Sequence, residues 1–494
     1  MKTFKYISTI LLVAIISSCS SWLDVEPQDR VMEDKIFSDR EGFLKALNGV
    51  YIELVDPSLY GSDLSYGTLD VLAQYYNVKN NSNSSYWIYG NYNYADANAK
   101  KKIDAIWSTA YNMIANCNTI IEKCDEKEEM LGQTFYPLIK GEALALRGML
   151  HFDMLRLFGP VYREETKKQK CMPYITTSVQ KVYPLSTAEE VLTSVIRDLK
   201  DAEKLLTIDP VITEGPRNYS NETGKNDLYY RQYRLNYFAV RALLARAYLW
   251  GGHQNEAFTY AKLNIDECQE EVTVESDKKL LFPFVTRESA LDYNCPDRVF
   301  SGEVLFALYN LSRANIYDEH FSPSLRSHAI FTVAGDKRWK ELYDDENDYR
   351  YKHWDSKVVE TNVIYFRKFE EVSNFDGESM AFRYMMPLIR MSEMYLIAAE
   401  TTDDADYALA CINKLRRHRG CVTITLLPGE LEDYITKEYR REMIGEGQMF
   451  FYYKRKGMQN IPDGGATETS SMNMELQNYT FPLPESETSQ RTDY

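Results

Sequence analysis

The chain has 494 residues, 44% hydrophobic and 26% charged, which is the ordinary globular range and excludes disorder over most of its length. Its formal net charge of −16 excludes nucleic acid as a main partner, because phosphate binding needs a basic surface that releases counterions. Length alone suggests about three domains. Aromatic residues are the compositional outlier, with 38 Tyr, 21 Phe and 6 Trp. Tyr and Trp offer stiff contact area with a polar handle, which suits a secreted or surface binding protein.

Lys2 and Lys5 open the chain, and Tyr6 to Ile16 is mostly apolar. That run is too short to span a bilayer, which takes about 20 residues. With the small residues after it, it reads as a secretory signal. Ile16-Ser17-Ser18-Cys19 resembles a bacterial lipoprotein box, so residues 1–18 are expected to be the signal peptide and Cys19 the lipidated N-terminus. Each buried CH₂ of such an anchor contributes about 0.8 kcal/mol. No other stretch is apolar enough to span, and the expected mature chain is a water-soluble body on a lipid tether. Cys117, Cys124, Cys171, Cys268, Cys295, Cys411 and Cys421 remain, at irregular spacings and with no CxxC. An odd number cannot pair completely, and buried free thiols are the expectation, with a Cys411–Cys421 bond left open.

In chain order, Asn77–Asn98 is a polar stretch rich in Asn, Ser and Tyr, with few charges. Leu138–Phe158 has helical period, with Ile139, Ala143, Leu146, Leu150, Met154 and Leu157 on one face, and Gly159-Pro160 stops it. Thr187–Leu206 is a second amphipathic helix, followed by a polar insertion over Thr207–Asp227. Leu235–Trp250 is rich in alanine and ends at Gly251-Gly252, and Asn255–Cys268 starts another helix. Glu270–Asn362 is a long polar insertion in which Gly302–Tyr309 reads extended, as does Val363–Phe369 beyond it. Leu388–Ala399 and Asp406–Arg417 close the set of helices, with Gly420 placed for a left-handed cap. Asp403, Asp404 and Asp406 read as capping groups rather than metal ligands. The helix pairs suggest stacked repeats, but they do not keep the roughly 34-residue period of a tetratricopeptide array.

No GxGxxG, P-loop, GxSxG or HExxH pattern occurs. Arg147, His151, Asp153 and Arg156 read as a polar network on one helix, and Glu393, Glu400, Arg441 and Glu446 as further packing ion pairs, so no catalytic residue is assigned. Asp344, Asp345, Glu346 and Asp348 could gather Ca²⁺, but they lack EF-hand spacing and read as a solvated loop. No cofactor and no metal site are expected. A hydrolase using two carboxylates stays open, since no segment marks such a pair. The stretch most suited to ligand binding holds Tyr75, Tyr76, Tyr86, Trp87, Tyr89, Asn91, Tyr92, Asn93 and Tyr94. Flat rings stack on sugar faces or peptide side chains, and Asn amides donate and accept. Trp87 is the leading platform. The long insertion should supply the opposite wall, with Tyr293, Tyr317 and Trp339 as candidates, while Trp107 packs in the core.

Several segments together resemble the SusD/RagB-like outer-membrane lipoproteins of Bacteroidetes nutrient-uptake systems. Trp22-Leu23-Asp24 with Pro27 is similar to that family's mature start. Trp107, Tyr111, Ile114 and Asn116 match a helix pattern of the family. The segment from Gly141 through Glu142, Arg147, His151-Phe152-Asp153, Arg156 and Gly159 to Val161 resembles its hallmark helix. Arg390–Glu400, Ile412–Arg416, Arg440–Phe451 and Phe481–Glu485 resemble its later motifs, in the expected order. Tyr452 departs from the pattern, standing where the family usually has Asp, and the tail after Glu487 lacks the usual Asn-Pro.

The resemblance implies a mainly α fold with degenerate tetratricopeptide-like helix pairs, long loops and minor β-hairpins. Regions 19–230 and 231–494 would merge into one globular body. It also implies capture of an oligosaccharide at the cell surface of the outer membrane and delivery to a TonB-dependent, SusC/RagA-like β-barrel transporter. In the resembled family the loop before the Trp107 helix contributes ligand contacts, and Asn77–Asn98 occupies that place. The alternatives are a RagB-type peptide ligand, a lipid-anchored helical glycoside hydrolase, and a scaffold that binds only proteins.

Overall fold

The computed structural model describes residues 33–269, 271–274, 277–358, 362–372, 382–425, 427 and 429–491. The signal segment, Cys19 and the Trp22–Pro27 motif lie outside the described residues. Ten longer helices carry the body among the described residues. They are α1 Arg40–Glu53, α2 Ala97–Glu126, α3 Glu128–Phe158, α4 Ala188–Leu205, α5 Tyr237–Trp250, α6 Gln254–Cys268, α7 Met391–Thr401, α8 Ala405–His418, α9 Leu431–Glu442 and α10 Gln448–Lys456. The mainly α expectation holds.

Local chemistry sets the ends of these helices. Asp39, Asp96, Asn236 and Asp404 each accept a backbone N–H in the first turn, of α1, α2, α5 and α8 respectively. Thr187 and Glu190 form a reciprocal capping box on α4. Gly420, past α8, takes a left-handed φ of 80°. Consecutive helices then pack as neighbours: α2 on α3, α3 on α4, α5 on α6, α7 on α8. Helix α3 is broken near its start at Gly132, whose φ is 68°. Its C-terminal half, Leu138–Phe158, is buried all round apart from Lys140, because α1, α2, α4 and α5 all pack on α3. One hydrophobic core runs through all ten helices.

Strands are short and paired two by two. β1 Val304–Tyr309 pairs antiparallel with β4 Met385–Arg390. β2 Trp354–Val358 pairs with β3 Asn362–Phe366, and β5 Asn460–Pro462 with β6 Ser471–Asn473. Two further minor pairs involve Lys170–Met172 with Ser186–Thr187, and Glu271–Val274 with Asp277–Leu280. One expectation fails here: Leu388–Arg390 is strand, and the helix begins only at Met391. All six residues of β4 are buried, so the segment carries no alternation to distinguish it from the buried helix that follows.

Arg390, at the end of β4, belongs to a buried ionic lattice. Its guanidinium bonds Glu303, Glu442 and Glu446, and Arg419 bonds Glu303 and Glu442 at 2.5 Å. Arg350 reaches Glu438 and Glu442 at 2.6 Å and Asp348 at 2.7 Å. Breaking a buried pair by removing one partner typically costs about 3–5 kcal/mol, because a charge stays buried alone. The lattice ties the long insertion (Glu303, Asp348, Arg350) to α9 and to the turn after it.

Candidate functional site

The Asn- and Tyr-rich stretch is a loop clamped by main-chain acceptors from distant parts of the chain. Asn77 N–H donates to Thr332 O at 2.7 Å, and Asn81 Nδ2 to Ser327 O at 3.1 Å. Asn80 Nδ2 donates to Gly465 O at 2.8 Å, in the hairpin between β5 and β6. Lys79 Nζ pairs with Asp463 at 2.9 Å. The long insertion therefore holds one side of the loop and the C-terminal hairpin another. Sequence reasoning missed the hairpin, although its turn signal, Asp463-Gly464-Gly465, was there to read.

Strain marks the base of this loop. Gln74 and Tyr92 both sit at positive φ, 59° and 56°. Gln74 Nε2 donates at 3.0 Å to both Gly90 O and Tyr92 Oη, which in turn donates to Leu72 O at 2.8 Å. Non-glycine residues hold such conformations only where their surroundings over-determine them.

The predicted ligand residues divide sharply. Tyr76 is fully buried and is one slice of a stack: its ring lies 4.7 Å from Phe331, whose other neighbour, His320, is at 5.0 Å. Tyr89 and Tyr92 are buried too, and Tyr89 Oη donates to Asn98 O. These three are core residues, not ligand platforms; a ring with an apolar body and a satisfied hydroxyl is more stable inside. Tyr94 is half-buried, edge-on to Phe481, with its hydroxyl donating to Asn478 O at 2.7 Å. Asn91 is exposed, but both amide hydrogens are used on the carbonyls of Lys79 and Trp87. Asn93 is exposed and Trp87 is half-buried, at the start of a single helical turn, Trp87–Gly90. Tyr293 is 96% exposed but stands on a separate turn, beside Cys295, which packs on a small second core around Val299 and Val304. Tyr317 is half-buried. Trp339 is buried against Tyr351 at 4.4 Å. It contributes a wall to a cavity of about 520 Å³ that also takes in Tyr75, Trp354, Arg338, Arg440 and Tyr453. Trp107 packs in the core against Phe158, as expected.

Lys102 Nζ lies 5.3 Å from the Tyr86 ring centroid and 5.5 Å from that of Tyr89, and pairs with Asp63 at 2.7 Å. Burial, with Lys102 adding to it, lowers the His320 pKa to about 4, so the imidazole is neutral at pH 7. Asp70 anchors the far side: it accepts from Gly445 N–H at 2.6 Å, Gly447 N–H at 3.1 Å and Tyr76 Oη at 3.2 Å. Burial raises its pKa to about 7 against the pull of those donors.

The hallmark-helix residues are structural. Arg147 bonds Asp198 and Asn118, and His151 accepts from Ile175 N–H at Nε2 while Nδ1 meets Arg147 O. Asp153 pairs with Arg156 and accepts from Tyr60 Oη. Glu393 holds Arg246, Glu400 holds Arg455, Arg441 holds Glu438, and Glu446 holds Lys368. Asp344 is shared by Arg416, Arg441 and Tyr434, and Asp348 is bound to Arg350. Among the described residues no group of three or more His, Cys, Asp or Glu is placed to hold a metal. The seven cysteines are free thiols, Cys411 and Cys421 included. Tyr452, in the position of the family's Asp, is buried and shares a 2.7 Å hydrogen bond with Thr436 Oγ1.

The described residues form a body of paired helices that carries a clamped aromatic loop. Residues 21–217 match a family model described as SusD-like, starch-binding associating with outer membrane, and residues 331–493 match the SusD family model. The chain belongs to the SusD/RagB-like family. A SusD-like protein of Formosa agariphila is 29% identical over 214 residues, 42% of this chain and 39% of that one. The matched region therefore spans about two fifths of the curated relatives' own length. A SusD superfamily protein from Bacteroides thetaiotaomicron superposes with a TM-score of 0.69 at 22% identity, covering 91% of this chain and 98% of the other. A SusD-like carbohydrate binding protein from Bacteroides vulgatus does so with a TM-score of 0.67 at 20% identity, covering 92% and 96%.

Proposed function

We propose that this chain is a non-enzymatic, surface-exposed nutrient-binding lipoprotein. It captures an oligosaccharide on the face that carries Trp87 and delivers it to a TonB-dependent β-barrel transporter. The lipid anchor is Cys19. The observation that carries the ligand reading is Trp87 itself: an aromatic ring left half-buried on a loop that is otherwise clamped. A held ring loses little freedom when a sugar face stacks on it. Exposed Ser82, Asn83 and Asn93 on the same loop supply uncharged donors and acceptors. The family model's description of starch binding and outer-membrane association supports the same reading.

The test is calorimetric titration of the chain with a panel of oligosaccharides and short peptides, with Trp87→Ala run in parallel. One glycan class should bind to the unaltered chain and be lost from the variant. A peptide hit with no glycan hit overturns the ligand class. In cells, fatty-acid labelling should vanish with Cys19→Ser, and the barrel should co-purify; a chain that faces the periplasm with no barrel partner overturns the delivery role.

A further inference from the structure

A second cavity, sharing no lining residue with the one at Trp339, lies between α1, the start of the buried half of α3, the 226–234 segment and the end of β1. Its volume is about 560 Å³, within the range of small-ligand sites. Five tyrosines line it: Tyr51, Tyr229, Tyr230, Tyr233 and Tyr309. Tyr51 is buried, Tyr229, Tyr230 and Tyr233 are half-buried, and Tyr309 is 50% exposed.

The tyrosine wall is held at a cost in backbone conformation. Tyr230 has φ 54° and ψ 42°, left-handed for a bulky residue. Arg217, whose carbonyl accepts the Tyr230 N–H at 3.0 Å, is also left-handed at φ 49°. The segment is fixed from beneath. Arg231 is fully buried, bonded to Asp209 and Glu142, and Gln232 donates to the carbonyls of Ser301 and Val304. Strain maintained by such a foundation concentrates at sites where a side chain must be aimed. Pre-set rings also reduce the ordering lost on binding.

The charges in the lining cancel. Arg231 and Arg234 face Glu142 and Asp227. Arg231 is paired with Glu142, Arg234 lies over the Tyr51 ring at 4.7 Å and bonds Asn48, and Asp227 is 3.8 Å from Arg40. A pocket with no net charge, flat rings and planar polar groups at its edge fits an uncharged polyol ring rather than an anion or a cation.

We propose that this pocket is a second, separate binding site, for a neutral glycan of one or two sugar units stacked on the tyrosine wall. It stands on different residues from the Trp87 face and does not require that face to bind.

The test uses the full chain and four neutral disaccharides as probes: maltose, cellobiose, lactose and N,N′-diacetylchitobiose. Binding is read by calorimetry and by saturation-transfer NMR on three variants. Tyr230→Gly removes the ring but keeps the left-handed backbone without strain, so it should fold at least as well. Tyr309→Ala removes a half-exposed ring. Trp87→Ala reports on the other face. The expected result is that at least one disaccharide binds, weakened about tenfold by Tyr230→Gly and by Tyr309→Ala and unchanged by Trp87→Ala. Binding that depends only on Trp87 overturns the second site while leaving the capture role intact. No binding of any probe at concentrations of about 10 mM overturns it as well, whatever longer glycans do at Trp87.

Discussion

Asp70→Asn is the most informative single change to the fold beneath the candidate site. The carboxylate is fully buried and receives two backbone N–H groups, from Gly445 and Gly447, as well as the Tyr76 hydroxyl. Its pKa is about 7 in the folded chain against an ordinary value of 3.8, with burial as the dominant cause. A raised folded pKa means that the stabilising contribution is complete below the unfolded pKa and is lost as pH rises through the folded one. Each unit corresponds to about 1.4 kcal/mol, so the contribution falls by about 3 kcal/mol between pH 5 and pH 8. An amide in its place cannot titrate. It can accept from one glycine N–H, but presents a donor to the other, which adds a pH-independent cost of about 1–3 kcal/mol. Chemical denaturation of both chains at pH 5, 6.5 and 8 isolates the effect. The stability advantage of the unaltered chain over the variant should shrink by about 3 kcal/mol as the pH rises across that range. A difference that stays flat would falsify the buried, half-titrated carboxylate.

Other outcomes follow from the same physics. Arg231→Met should destabilise by about 3–5 kcal/mol in urea melts, because Glu142 and Asp209 keep their burial and lose their counter-charge; a loss under about 1 kcal/mol contradicts that account. His320, with its pKa lowered to about 4, contributes stability that is present above the unfolded value near 6.5 and lost as pH falls through 4. His320→Phe should therefore flatten the acid side of the stability profile, and an unchanged profile would show that the imidazole is solvated. A disulfide-exchange reagent at neutral pH should modify Cys295 in the native chain, since it is the one partly exposed cysteine among the described residues. Burial raises the thiol pKa of Cys117, Cys124 and Cys171 to about 12, and these should react only after unfolding; rapid native labelling of any of them counts against the packing.

The helices were legible in the sequence where one face is apolar or where a stop signal is strong. Leu138–Phe158 ends at Gly159 as its composition requires, and the Thr187 helix begins on its cap. Met385–Arg390 was not legible, since a strand buried on both faces has no period of two to read. The Asn and Tyr content marks Asn77–Asn98 as the candidate stretch, but the orientation of each ring was not legible. Tyr76 turns inward because Phe331 and Phe321, far away in sequence, meet it there. Trp87 stays near the surface because nothing comparable covers it fully. The 229–233 tyrosines went unremarked because their wall forms only when β1 and α1 close on them.

Three of the clamps on the Asn77–Asn98 loop share one property: Thr332, Ser327 and Gly465 all contribute main-chain oxygens. Every residue type, proline included, offers that oxygen, so the side chains of Thr332 and Ser327 can change without breaking those bonds. Gly465 is the exception, because a Cβ there would meet Asn80 Nδ2 at 2.5 Å. The outward positions, Ser82, Asn83, Ser85, Trp87 and Asn93, can change independently of the clamp. A transplant of those five alone, from one member of the family into another, should carry a preference for ligand across while the recipient keeps its own frame.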